Sequence, residues 1–290
     1  MTGRHLRLSG TLAALGLAAL LALSGCAGGP MRTRPVTPKL RPPAIARQGV
    51  LRIAVDEHYP PFASLDGGQV IGLDADVGAA LAAQLGLKAE FVDVPVTGIG
   101  AALREKRVDV ALGGVPITQA ALSEVTVATS YLADAPVLFS PGASVTVQDL
   151  DRLRVAVQKG SPAFWLLRAK VGEERLMVFP ALRDAFNAVK SGKADAVAGD
   201  AIVAGYIRRE FPSLLYAGQL ADAGPLALMV AKDAAAVEPS AREAMDELAA
   251  TGVLDAIRGK WLGDLPALSV PSSADMPSGD ASRSLDTTLP

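Results

Sequence analysis

Val50 to Val77 reads VLRIAVDEHYPPFASLDGGQVIGLDADV, and the architecture follows from it. The run Leu51-Arg52-Ile53-Ala54-Val55 alternates apolar and β-branched residues over a few positions, which predicts a short buried strand. Asp56 ends that strand, and Pro60-Pro61 block its continuation as strand or helix. The loop beyond the strand's carboxyl end carries Asp56, Glu57, His58, Tyr59 and Phe62. In an open α/β sheet, ligands bind at that edge. After a turn at Asp66-Gly67-Gly68, Asp74 stands at an N-cap position. Val77, Leu81 and Leu85 recur at helical spacing, and Gly86 closes the helix.

Composition narrows the classes. With 290 residues, half of them hydrophobic, the chain has room for two modest domains. A net charge of −2 gives no basic footprint for nucleic acid. One cysteine excludes an internal disulfide framework and any cysteine-rich metal site. The histidines are His5 and His58, so histidine-based metal or triad chemistry would rest on His58 alone. No metal and no cofactor is expected.

From the N-terminus, Arg4 and Arg7 precede an apolar run, Leu12 to Leu23, that ends in Leu23-Ser24-Gly25-Cys26. That order predicts a secretory signal peptide over 1–25, too short for an ordinary membrane span. The next stretch, 26–45, is rich in proline, glycine and basic residues and predicts a flexible linker. Strands and helices then alternate, which implies parallel βαβ units. Strands are predicted at 89–94, 108–112, 153–157, 176–179 and 194–198, and helices at 97–106, 181–190 and 201–209, with one through Trp165 and Leu166. LALMVAK from Pro225 predicts a returning strand, followed by helices over 239–250 and 253–262. Past Asp264 the chain turns to Ser, Pro, Asp and Thr, which predicts a disordered tail over 265–290. One internal echo stands out: AALREKRVDVALGG (Ala101–Gly114) and NAVKSGKADAVAGD (Asn187–Asp200) align without gaps. It places Gly114 and Asp200 at equivalent strand ends.

The opening with YPPF and GLDADV, together with the closing Trp261-Leu262-Gly263, resembles the solute-binding proteins of amino-acid-type ABC importers. These are type II periplasmic binding proteins, and the resemblance runs from about Val50 to Asp264. It implies two α/β lobes, each a mostly parallel sheet flanked by helices. Lobe 1 would comprise 46–135 and 224–264, and lobe 2 would comprise 136–223, with hinge crossings near 132–138 and 218–225. Leu-Ser-Gly-Cys resembles a bacterial lipobox, which implies that Cys26 is acylated and anchors an extracytoplasmic protein to the membrane. The partners implied are a small polar molecule and ABC permease subunits, and the receptor would be monomeric.

The resemblance also nominates site residues. Tyr59 or Phe62 would stack on the ligand, or both pack the domain; Asp56 would touch ligand or cap its own loop's amides. Gly113, Gly114 and Thr118 would line the second ligand-facing loop, the glycines either offering amides or merely turning the chain. In lobe 2, Gly160-Ser161 would meet the ligand at a helix start, with Ser161 capping that helix. Asp200 matches the aspartate that receives a ligand ammonium, with N-capping as its rival role. Asp74 and Asp76 match residues that are structural in the family. One departure is large: the family's carboxylate-gripping arginine is Ala121 here. An acid kept and an arginine lost imply a ligand with a cation or neutral donors and no clamped α-carboxylate, unless Lys159 or Arg168 substitutes. Two other readings are open. ALGGVPIT also resembles periplasmic cyclohexadienyl dehydratase, with Glu57 as its acid, and an occupied receptor can signal in trans to a membrane protein.

Overall fold

A computed structural model describes residues 37–114, 123, 125–142 and 145–268. Two five-stranded sheets carry the fold, and a three-stranded hairpin sheet stands beside the first. The first sheet has the order β5-β1-β6-β13-β7. Here β1 is Val50–Val55, β5 is Lys88–Asp93, β6 is Val110–Ala111, β7 is Val125–Asp134 and β13 is Gly224–Ala231. β1 runs parallel to β5 along its whole length, from Val50 opposite Lys88 to Val55 opposite Asp93. Its alternation has a physical use. Leu51, Ile53 and Val55 enter one core with Val77 and Leu81, while Ala54 faces a second core with Ile99 and Leu103. The sheet is therefore covered on both faces, by α1 (Leu73–Gln84) and by α2 (Ile99–Arg104).

The second sheet has the order β10-β9-β11-β8-β12. Its strands are β8 (Pro136–Ser140), β9 (Val155–Gln158), β10 (Leu176–Phe179), β11 (Ala196–Asp200) and β12 (Leu215–Gln219). Phe164 and Leu167 of α3 (Pro162–Val171) fill one side. Phe186 and Val189 of α4 (Leu182–Lys190) and Ile202 of α5 (Ala201–Arg208) fill the other. In each sheet one strand opposes the other four, β13 in the first and β8 in the second. Both are the strands entered on crossing from the other sheet. The crossings are Ala135, between β7 and β8, and residues 220–223, between β12 and β13. Two helices, α6 (Val237–Ala250) and α7 (Val253–Leu262), close the fold.

Four sequence expectations change. β7, β8 and β12 are strands where the sequence reading had only connections. Leu40 and Ile45 are buried, so the expected linker ends before them; the Lys39 amide also donates to Leu85 O (3.0 Å). Leu265 is buried too, inside the stretch read as a tail. Finally, α1 begins after Gly72 and not at Asp74. Gly72 has φ 144°, and a Cβ there would meet Phe62 O at 2.1 Å, so only glycine fits. Asp74 is thereby drawn inside the first turn.

Candidate functional site

The loop after β1 is held by its own polar groups. The His58 amide donates to Asp56 Oδ1 (3.1 Å) and the Tyr59 amide to Asp56 O (3.2 Å), so Asp56 caps its loop. β2 (His58–Tyr59) pairs with β3 (Ala63–Asp66), and β4 (Gln69–Ile71) completes the hairpin sheet. The Tyr59 and Phe62 rings stack with centroids 5.0 Å apart. Phe62 is only 2% exposed and packs the domain, whereas Tyr59 is 41% exposed.

Gly114 does not offer its amide to a guest. Its N–H donates to Tyr131 Oη (3.2 Å), and Tyr131 Oη in turn donates to Asp74 Oδ1 (2.7 Å). Phe62 lies just beneath: a Cβ on Gly114 would come 2.8 Å from its ring. Asp74 is fully buried, its Oδ2 has no partner, and burial pushes its carboxyl up to about 7. Asp74 is thus a buried acid beneath the Gly114 turn, not a cap. The neighbouring acid Asp76 accepts from Lys260 Nζ (2.6 Å) and Trp261 Nε1 (2.6 Å), which ties α1 to α7.

In the second lobe, Ser161 caps α3. Its Oγ accepts from the Phe164 amide (3.1 Å) and donates to Gln158 O (3.0 Å). Gly160, at φ 74°, makes the turn before it. Asp200 ends β11 and makes no side-chain cap bond to α5, so N-capping is not its use. Its Oδ1 is buried without a partner, and its carboxyl is pushed up to about 7 by burial and by Asp134. The sequence reading missed Asp134; the available signal was a lone acid in the apolar run YLADAPVLF. Burial raises it to about 6, against amide donors at the start of α5.

These pieces converge on Tyr59. Burial raises its phenol, and so do the charges of Asp200, Asp134, Asp56 and Asp74. Acids of both lobes thus act on one phenol, and among the described residues no cation offsets Asp74, Asp134 or Asp200. Arg168 is not the substitute cation, since it lies over Trp165 (5.4 Å to the ring centroid) and pairs with Glu173 (3.0 Å). Trp165 itself is 55% exposed. Thr118, Ala121 and Cys26 lie outside the described residues.

Comparison with known proteins places this geometry. Residues 51–264 match the family of bacterial extracellular solute-binding proteins, family 3. The putative ABC transporter arginine-binding protein 2 of Escherichia coli K12 is 25% identical over 219 residues, spanning 73% of this chain and 90% of that protein. Cyclohexadienyl dehydratase of Pseudomonas aeruginosa is 30% identical over 177 residues, 59% of this chain and 66% of the enzyme. The solved structure of an ancestral cationic amino acid solute-binding protein superposes with TM-score 0.66 at 27% identity, covering 74% of this chain and 96% of that one. The two-lobed architecture is that of the type II periplasmic binding proteins, and the chain belongs to the bacterial extracellular solute-binding proteins, family 3.

Proposed function

We propose that the protein is a lipid-anchored, monomeric extracytoplasmic receptor that captures a small cationic or nitrogen-rich solute between its lobes and delivers it to an ABC permease. Acylation of Cys26 would supply the anchor. Binding to contacts on both lobes would drive closure, with no bond made or broken. One observation carries the ligand class: Asp200 keeps a buried, unpartnered carboxylate oxygen, and its charge together with those of Asp134, Asp56 and Asp74 acts on the Tyr59 phenol. A guest with positive charge satisfies that oxygen and stacks on the ring. The names of the relatives, arginine-binding and cationic amino acid-binding, agree with a cationic guest. Ala121 removes the guanidinium that would clamp an α-carboxylate, so amines and decarboxylated amino acids belong to the class. The same acids argue against dehydratase chemistry on a substrate bearing several carboxylates, because among the described residues no cation stands beside Asp134 or Asp200 to anchor them.

A thermal-shift screen tests this with agmatine, cadaverine, choline, L-arginine, L-cystine, L-glutamine and prephenate. A ligand at a hundredfold its Kd adds about 2.7 kcal/mol. Stabilisation by the cations is expected. Stabilisation by glutamine or prephenate alone, or turnover of prephenate, would overturn the reading. Metabolic labelling with an alkynyl fatty acid checks the anchor, and Cys26→Ser should abolish the label.

A further inference from the structure

Asp134 stands where the chain leaves the first sheet. It is the last residue of β7, and β8 begins at Pro136. Its Oδ1 accepts from the Ala135 amide (2.9 Å) and from the Ile202 amide (3.1 Å) in the first turn of α5, so one carboxylate spans the crossing and the second lobe. Asp200 immediately precedes α5. It pairs with Pro136 in the ladder, and the Ala201 amide donates to Ala135 O (2.8 Å). The two acids therefore issue from facing stretches of chain at one hinge. Asp134 Oδ1 takes the Ala135 and Ile202 amides, and Asp200 has a buried Oδ1 with no partner. Among the described residues the one charge that acts on Asp200 is Asp134, both acids act on the Tyr59 phenol, and no basic group bears on either acid. A like-charged pair held in this way lacks only its counter-ion.

We propose that Asp134 is a specificity-determining residue of the ligand site, forming with Asp200 a two-carboxylate receptor for one guanidinium or ammonium group. This rests on the reading of the chain as a receptor for cations. Burial and the charge of Asp134 hold a proton on the empty Asp200 near neutral pH. The incoming cation takes its place, and the proton leaves to solvent. A guest with several N–H donors on one charged end, such as a guanidinium, bonds both acids at once and is preferred over a quaternary ammonium, which has none.

The test uses the full chain, titrated calorimetrically with agmatine and with L-arginine near pH 6.5 in buffers of different ionisation enthalpy. Wild type is expected to release a large fraction of one proton per guest bound. Asp134→Asn keeps Oδ1 as acceptor for both amides, so a merely structural role leaves binding intact. The proposal expects that variant to bind about tenfold or more weakly and to release far less of the proton. Unchanged affinity and proton release in Asp134→Asn overturn the role of Asp134 while leaving the cation reading standing. If neither compound binds, the cation reading fails, and carboxyl ¹³C titration of the empty protein judges the pair. A midpoint for Asp200 that falls in Asp134→Asn supports it, and two independent, ordinary midpoints overturn it.

Discussion

Replacing Asp74 by asparagine should change how stability depends on pH, and the structure sets the size of the effect. The carboxyl is fully buried, and burial lifts it from its ordinary 3.8 to about 7 against the opposing hydrogen bonds from Tyr131 and Gly114. A shift of about three units corresponds to about 4 kcal/mol at 1.36 kcal/mol per unit. The sign follows from proton binding. Between the two values the folded protein holds a proton that the unfolded chain releases, so stability falls as pH rises from about 4 to about 7 and is flat beyond. Asparagine keeps an oxygen for Tyr131 Oη and carries no charge. Its stability relative to wild type should therefore rise by about 3 kcal/mol between pH 5 and pH 8, whatever its offset at the lower pH. Asp134 and Asp200 titrate in the same window, but they do so in both proteins and cancel in the difference. Urea unfolding followed by the fluorescence of Trp165 and Trp261 measures it. A difference that stays constant within about 1 kcal/mol across the two pH values would refute the assignment of a strained buried charge to Asp74.

Tyr131→Phe removes both the donor to Asp74 and the acceptor of the Gly114 amide. It should cost about 1–3 kcal/mol in urea unfolding and steepen the loss above neutral pH. Gly114→Ala puts a Cβ at φ 60° and 2.8 Å from the buried Phe62 ring, and should lower stability by about 1–3 kcal/mol, read as a drop in Tm. Asp109→Ala breaks a buried pair with Arg52 (2.8 Å) and should cost about 3–5 kcal/mol. The matching Asp195→Ala loses an exposed pair with Arg154 at the same distance and should cost no more than about 1 kcal/mol. Equal losses in those two variants would count against burial as the deciding factor.

Local patterns carried the units whose partners lie close in the chain. β1 and α7 stand where alternation and helical spacing put them, and Ser161 caps α3 as its place before Pro162 implies. What escaped the sequence depends on distant contacts. Capping rules favour Asp74 as a helix start, yet the start is fixed by the Phe62 carbonyl against Gly72, and the fate of Asp74 by Tyr131, far along the chain. β7 was obscured because its burial does not alternate cleanly and its register with β13 shifts twice. β8 follows it after a single residue, so apolar character alone gives no boundary between strand, hinge and strand. Asp134 left only the signal of a lone acid in an apolar run, because its partner amide comes from α5, which the chain reaches only after building most of the second lobe.

The internal echo was legible because one local device is built twice. Asp109 and Asp195 each take the main-chain amide of an arginine at the start of a central strand, Arg52 (2.9 Å) and Arg154 (2.8 Å), and each also takes that arginine's Nη2 at 2.8 Å. Their own amides return to the same arginines' carbonyls at 2.8 and 2.9 Å. One helix turn earlier, Lys106 and Gly192 occupy matching positions, and both are left-handed, at φ 55° and φ 74°. Glycine accepts that conformation without cost and lysine does not, so the shared geometry is imposed by the turn and not by either side chain. The strands that follow differ in length: β6 stops at Ala111, three residues before Gly114, whereas β11 runs to Asp200, so the two positions matched in sequence are not equivalent strand ends. In the first lobe the loop after β6 holds Gly114, whose amide is sequestered by Tyr131 above a buried acid; in the second, β11 ends at Asp200, whose Oδ1 is left unpaired. Repetition thus fixes how each strand is fastened at its start, and the divergence beyond it leaves the unpaired carboxylate oxygen of Asp200 in the second lobe.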